Sequence, residues 1–189
     1  MTVIKSKDIE LGIKIEVDNE PYLVIENNFV NMGRGQAFYK VKIKNIINNS
    51  IISKTIKVGE KLKTANIITK DLQFLYTADN LYYFFDSVTL EYHEINHTLL
   101  NNKIKLLKEG NLCSVTFWNN EAIEVKLPKF VELKVISNDS VKKDSGTHKN
   151  FKYVTIETDD TIKVPLFIKL NDIIKIDTNS GSYISRVNN

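Results

Sequence analysis

The chain has 189 residues, 42% hydrophobic and 26% charged, a balance that supports a buried core and excludes wholesale disorder. Its formal net charge of +3 is too small to diagnose nucleic-acid binding by itself, and its single cysteine excludes an internal disulfide and a thiolate zinc cluster. No run approaches the roughly 18 apolar residues of a membrane span, and Met1-Thr2-Val3-Ile4-Lys5 lacks a signal peptide's apolar region, so a cytoplasmic protein with no membrane partner is expected.

Period-two alternation dominates from the N-terminus onward. Ile13 to Val17 alternates, Asp18-Asn19-Glu20-Pro21 turns, and Tyr22 to Ile25 continues, which predicts a hairpin. Phe38 to Lys44 places Lys40, Lys42 and Lys44 on one face and Tyr39, Val41 and Ile43 on the other, a wet basic face backed by a buried one. Further runs at Gln73–Thr77, Leu81–Phe85 and Val88–Tyr92 predict strands, followed by a helix over about Thr98–Lys108 that stops at Gly110. Cys113–Phe117 and Ala122–Lys126 flank a turn at Trp118-Asn119-Asn120, and five strands with one short helix are the inventory of an OB-type barrel. After Pro128 come five more strand-like runs, at Val131–Ile136, Tyr153–Glu157, Ile162–Val164, Ile173–Ile176 and Tyr183–Val187, with a polar loop from Ser137 to Asn150 between the first two. The expected architecture is all-β, three small β-barrels in tandem over residues 1–64, 65–128 and 129–189.

Enzyme templates find no purchase. His93 and His97 have the i,i+4 spacing of metal ligands, but His93 lies in a strand pattern and no further ligand completes the set, so two surface histidines and no metal are expected. Cys113 alternates with Val115 and Phe117 and reads as a small buried apolar residue rather than a nucleophile. Walker, Gly-x-Ser-x-Gly and dinucleotide-binding motifs are absent, so no catalytic residue and no cofactor are expected.

One segment resists a purely structural reading: Phe29-Val30-Asn31-Met32-Gly33-Arg34-Gly35-Gln36-Ala37-Phe38. Arg34 and Arg186 are the only arginines beside 24 lysines. The glycines accept positive φ and remove bulk around one long, permanently charged side chain at a hairpin tip. Two readings stay open on spacing alone, an ordinary exposed turn and a cationic probe for an RNA crevice.

At this segment the chain resembles bacterial translation elongation factor P. In the first third the likeness rests on Glu20-Pro21-Tyr22, Phe29-Val30 followed by Gly33-Arg34-Gly35-Gln36-Ala37-Phe38, and Val41-Lys42, and in the middle, more weakly, on Tyr76, Phe84 and Thr116 to Asn119. In the last third it rests on Phe130-Val131-Glu132-Leu133, Lys163 to Ile168, and Ile174 to Thr178 with Ser180-Gly181-Ser182-Tyr183, which is similar to the family signature. The resemblance implies a KOW/SH3-like domain followed by two OB domains in an elongated L shape. It also implies a non-enzymatic monomer that binds the 70S ribosome, its RNA and proteins, between the P and E sites and relieves stalling at consecutive prolines by positioning peptidyl-tRNA. Arg34, with Gly33, Gly35 and Gln36, would form the tip facing the peptidyl-transferase centre. RNA contacts would come from Lys40, Lys42 and Lys44 and, in the third domain, from Lys142, Lys143, Tyr183 and Arg186. Many members carry a modified lysine where Arg34 stands. Three alternatives are therefore open: Arg34 rhamnosylated by an arginine-modifying enzyme, Arg34 bare, or a related paralogue with another ribosomal role. A general OB-fold RNA-binding module is the rival reading. Asp160 and Asn171 stand where the family usually has glycine.

Overall fold

The computed structural model describes residues 2–31, 33, 35–138 and 151–187. Its three sheets combine antiparallel hairpins with antiparallel pairings between strands distant in sequence, such as Val3–Lys5 with Lys61–Thr64 and Phe130–Ser137 with Ile173–Asp177. The first sheet comprises β1 (Val3–Lys5), β2 (Lys14–Val17), β3 (Glu20–Val30), β4 (Phe38–Asn45), β5 (Ile51–Lys57) and β6 (Lys61–Thr64), in the order β1-β6-β2-β3-β4-β5. The second comprises β7 (Ile67–Ala78), β8 (Leu81–Asp86), β9 (Glu91–Asn96), β10 (Leu112–Trp118) and β11 (Glu121–Lys126), in the order β11-β10-β7-β8-β9. The third comprises β12 (Phe130–Ser137), β13 (Phe151–Ile156), β14 (Thr161–Pro165), β15 (Ile173–Asp177) and β16 (Ser182–Val187), in the order β14-β13-β12-β15-β16. The all-β class with three β-sheet domains is therefore what the chain adopts. By packing, the chain separates into two compact units, Met1–Thr69 with Thr116–Glu124 and Lys70–Val115 with Val125–Asn189.

Turn chemistry sets the pairing. Asp18-Asn19, Asp79-Asn80 and Asn119-Asn120 all have positive φ, between 49° and 69°, the conformation of two-residue hairpin turns that Asn and Asp tolerate. Val17 consequently faces Glu20, and Ala78 faces Leu81. In the first sheet Ile15, Val41, Ile43 and Ile56 are fully buried and pack with Ile9, Val17, Tyr22, Val24 and Leu62. β4 then has no freedom: burying Val41 and Ile43 turns Lys40 and Lys42 to solvent. Asn45 ends that strand as a buried polar residue whose Oδ1 accepts the N–H groups of Ile47 and Asn48 while its Nδ2 donates to Glu20.

Two predicted elements differ. The strand expected over Val88–Tyr92 begins only at Glu91. Asp86 Oδ1 accepts the N–H groups of Val88 and Thr89, and Leu90 turns back with φ 59° to donate to the Asp86 carbonyl, so the first three residues are consumed by a turn. The helix expected over Thr98–Lys108 is two short 3₁₀ segments, His97–Leu99 and Asn101–Leu106. Asn96 caps the first by accepting the Thr98 N–H, and Leu107 leaves the second in extended conformation, with ψ 121°. Gly110 is not a helix cap; with φ 85° it donates its N–H to the Phe74 carbonyl. Adjacent Leu106 and Leu107 are both buried, and a continuous α-helix would separate their directions by only about 100°. β1, β5 and β6 were not anticipated as strands.

The third core contains Val131, Leu133, Val135, Val154, Ile156, Val164, Ile168, Ile174 and Ile176, and Leu106 reaches into it from the 3₁₀ segment. Lys105 and Lys108 on either side pair with Asp160 and Glu157, and Thr158 donates to the Lys105 carbonyl. Asn171 adopts positive φ, 68°, as expected of a position where the resemblance puts glycine; at the other turn it is Asp159, φ 60°, rather than Asp160 that does so.

Leu106→Ala should lower the stability of the third sheet by about 2 to 5 kcal/mol, the range for a leucine deleted from a filled core, seen as earlier urea unfolding of that sheet with the first sheet unchanged. Asp86 is buried and accepts the Lys70 ammonium at 2.9 Å. Lys70, helped by the Thr89 and Val88 amides and opposed by desolvation, holds the Asp86 carboxyl well below the usual range. A depressed native value contributes stability above the unfolded value of about 3.9 and loses it as pH falls toward the native one. The melting-temperature gap between the wild type and Asp86→Asn should therefore be full near pH 7 and close progressively below about pH 4.

Candidate functional site

β3 and β4 form the longest pairing in the first sheet, running from Tyr22 opposite Asn45 to Val30 opposite Phe38, with one bulge between Val24 and Glu26. The residues between the last pair form the connection, and Arg34 sits at its middle. Arg34 lies outside the described residues. Its neighbours are described: Gly33 has φ 68° and Gly35 φ 141°, and a Cβ on either would meet nothing within 4 Å. The glycines answer a backbone requirement and not a shortage of space, since 68° is the left-handed basin and 141° lies outside every region open to L-residues with side chains. Asn31 Oδ1 accepts the Gly33 N–H at 3.4 Å, and Asn31, Gly33, Gly35 and Gln36 are exposed. At the root of this loop Phe29 and Tyr39, directly opposite one another, place their ring centroids 5.0 Å apart, which braces the two strands just behind the tip.

The basic face of β4 is present but uneven. Lys42 forms an ion pair with Glu26 at 2.6 Å, and Asn28 donates to the same carboxylate; these donors, Lys42 first, hold Glu26 below its ordinary value. Lys40 is exposed opposite Asn28, two residues nearer the tip, whereas Lys44 is half-buried between Leu23 and Ile51. The structure therefore brings Gly33, Gly35, Gln36, Lys40, Lys42 and Lys44 onto one hairpin, with Lys40 the most available cation.

The third-domain residues are placed differently. Lys142 and Lys143 lie outside the described residues. Tyr183 is half-buried and packs against the third core. Arg186 is exposed, 3.8 Å from Asp172 and with its guanidinium carbon 5.9 Å from the Phe167 ring centroid. Sequence reasoning missed the pattern this belongs to. Phe130 carries Lys129 and Lys175 at 5.2 and 4.9 Å from its ring centroid, and Phe151 carries Lys163 at 5.3 Å. Phe130, Phe151 and Phe167 are all exposed. Each ring is offered beside a cation, an arrangement suited to stacked bases and their phosphates. Only strand register joins Phe130 to Lys175 or Phe151 to Lys163, so no single run displays it.

Cys113 is fully buried and desolvation pushes its thiol up to about 12, which leaves no thiolate for chemistry near neutral pH. Among the described residues no group of three or more His, Cys, Asp and Glu could share a metal ion, and no helix is long and apolar enough to cross a membrane.

Family models match the chain in three consecutive stretches: an elongation factor P (EF-P) KOW-like domain over residues 5–62, an elongation factor P (EF-P) OB domain over 67–125, and an elongation factor P C-terminal domain over 131–186. Among solved structures, the chain is similar to a eukaryotic translation initiation factor 5A from Methanococcus jannaschii, with 17% identity and a TM-score of 0.51 over 67% of this chain and 92% of that one. It is also similar to a translation initiation factor eif-5a family protein from Naegleria fowleri ATCC 30863, with 12% identity and a TM-score of 0.57 over 67% of this chain and 98% of that one. At such identities the likeness to these two structures is one of fold.

Gly35→Ala should strain the loop by about 1 to 3 kcal/mol, the cost of holding a side-chain-bearing residue in a conformation that is essentially glycine's alone. Amide exchange should accelerate across Asn31 to Ala37 while Val24 and Val41, in the stem, keep their protection.

Proposed function

The chain belongs to the elongation factor P family of translation factors, and from that premise we propose that it binds the ribosome between the P and E sites and promotes peptide-bond formation at consecutive prolines by positioning peptidyl-tRNA. The observation that carries this reading is the pair of positive-φ glycines, Gly33 and Gly35, on either side of Arg34 at the end of a long braced hairpin.

The chemistry asked of such a tip is modest. Proline fixes its own φ and carries no N–H, so prolyl substrates start badly oriented for attack. A group that holds the peptidyl-tRNA end in line raises the rate through orientation alone. Arg34 suits that task, because a guanidinium stays protonated and acts by donating hydrogen bonds rather than as a base. It offers five donors in a planar fork to phosphate and carbonyl oxygens. Lys40 behind the tip, and the cation-flanked rings Phe130, Phe151 and Phe167 in the third domain, supply salt-sensitive contacts to RNA. In this reading the protein is a binding factor and not an enzyme, its partners are ribosomal RNA, ribosomal proteins and P-site peptidyl-tRNA, and Arg34 is the position an arginine-modifying enzyme would act on.

The test is reconstituted translation through a proline run. Arg34→Ala should lower the rate at the prolines by about tenfold or more, the order expected when an orienting contact is lost, with little effect elsewhere and with ribosome binding retained. Unchanged synthesis through prolines with intact ribosome binding sinks the tip assignment. Intact mass of the natively expressed protein separates a bare Arg34 from one carrying a deoxyhexose.

A further inference from the structure

The outer face of β7, β8 and β9 is aromatic and acidic, unlike any other surface described above. Two cross-strand rows form it. In one, Tyr76 stands opposite Tyr83, and Tyr83 opposite Glu94; in the next, Gln73 stands opposite Phe85, and Phe85 opposite Tyr92. Tyr76 and Tyr83 stack with centroids 4.7 Å apart and an interplanar angle of 18°, and Phe85 and Tyr92 lie 5.2 Å apart. Tyr76 and Tyr92 are 54% and 70% exposed, far more than rings packed to stabilise the sheet alone would be.

The charge around these rings is negative. Residues 70–98 carry Lys70 against Asp71, Asp79, Asp86, Glu91 and Glu94, a formal charge of −4 within a chain of +3. Lys70 is already committed to Asp86 and Glu91. Glu94 stands directly opposite Tyr83, which sets a carboxylate beside the stacked rings; desolvation first, and then the charge of Glu94, raise the Tyr83 phenol above its ordinary value. Such a field repels phosphates, so the base-stacking use that OB sheets often serve does not fit here. It also disfavours a second copy of the same face, which would bring like charges together.

A guanidinium fits on every count. It stacks on tyrosine rings, is drawn to their faces by the ring quadrupole, and donates in a fork to a carboxylate beside them. The two rows are two residues apart along β8, a spacing of about 7 Å, which is also the spacing of alternate side chains in an extended peptide. We propose that the outer face of β7–β8–β9 docks an extended, arginine-bearing segment of a partner protein, with alternate arginines seated on the Tyr76–Tyr83–Glu94 row and the Phe85–Tyr92 row. This surface does not depend on what Arg34 does, and it goes beyond the reading of the chain as a tRNA-positioning factor.

The full chain is titrated with a short synthetic peptide of alternating arginine and serine, followed by NMR and by fluorescence anisotropy of the labelled peptide. Resonances of Tyr83, Phe85, Tyr92 and Glu94 should shift. Tyr92→Ser, at an exposed position, should weaken binding about threefold, as expected for one exposed cation–π contact. Glu94→Lys should weaken it about tenfold by turning attraction into repulsion at the centre of the face. Both variants should melt as the wild type does. Wild-type affinity in both variants overturns the proposal, as does displacement of the peptide from this face by a uridine oligonucleotide of equal length.

Discussion

Hairpin register is the constraint on which every surface of this protein rests. Side chains alternate with a period of two, so a slip of one residue in a pairing would exchange the core face for the solvent face along the whole strand. The left-handed pairs Asp18-Asn19, Asp79-Asn80 and Asn119-Asn120 leave no room for such a slip. With register set by these turns and by the burial of Ile15, Val41, Ile43 and Ile56, the outward positions follow without further instruction. Lys40 and Lys42 on one sheet, and Tyr76 and Tyr92 on another, are exposed side chains whose neighbours are chosen by a turn several residues away.

The same constraint distributes charge. Residues 1–64 carry eleven basic against seven acidic side chains, whereas residues 65–128 carry five against eight. The aromatic residues follow opposite rules on the two kinds of surface. In the third domain exposed phenylalanines sit beside lysine or arginine, the setting an anionic partner would favour; in the middle sheet the Tyr76–Tyr83 stack sits beside Glu94, the setting the cationic partner proposed above would favour. Rings of similar area thus stand in opposite electrostatic settings because of the residue that register places next to them, and the overall charge of +3 conceals both.

Strands with one wet face were legible in the sequence because their pattern is contained within each run: Phe38 to Lys44 shows its lysines and its core residues on alternate positions. Elements governed by side-chain to backbone bonds were not. Nothing in Val88-Thr89-Leu90 reveals that Asp86 will capture two of its amides, and β-branched residues there mimic a strand. Leu106 illustrates a different limit, since its apolar spacing suggests a helix packed on its own sheet while its side chain belongs to the next core. Pairs such as Phe29 with Tyr39, Lys42 with Glu26 and Phe130 with Lys175 are invisible until the strands are aligned. At the tip the glycines announced a special backbone correctly, because only positive φ explains two of them around one arginine.

Under the function proposed above, the choice of arginine at that tip follows from what a hairpin can and cannot do. A β-ribbon braced by Phe29 and Tyr39 limits the freedom of the stem, so less conformational entropy remains to be lost when the tip docks. That saving is realised only if the terminal side chain makes directional contacts, since a point charge is satisfied equally well in many orientations. A lysine ammonium is such a point charge, strongly hydrated and free to rotate; a guanidinium is planar and presents its donors in a fixed fork. In a chain where 24 of 26 basic residues are lysine, the proposed function gives arginine a reason at this position, because a rigid mount and a directional cation together would bring the most orientation to a bound group.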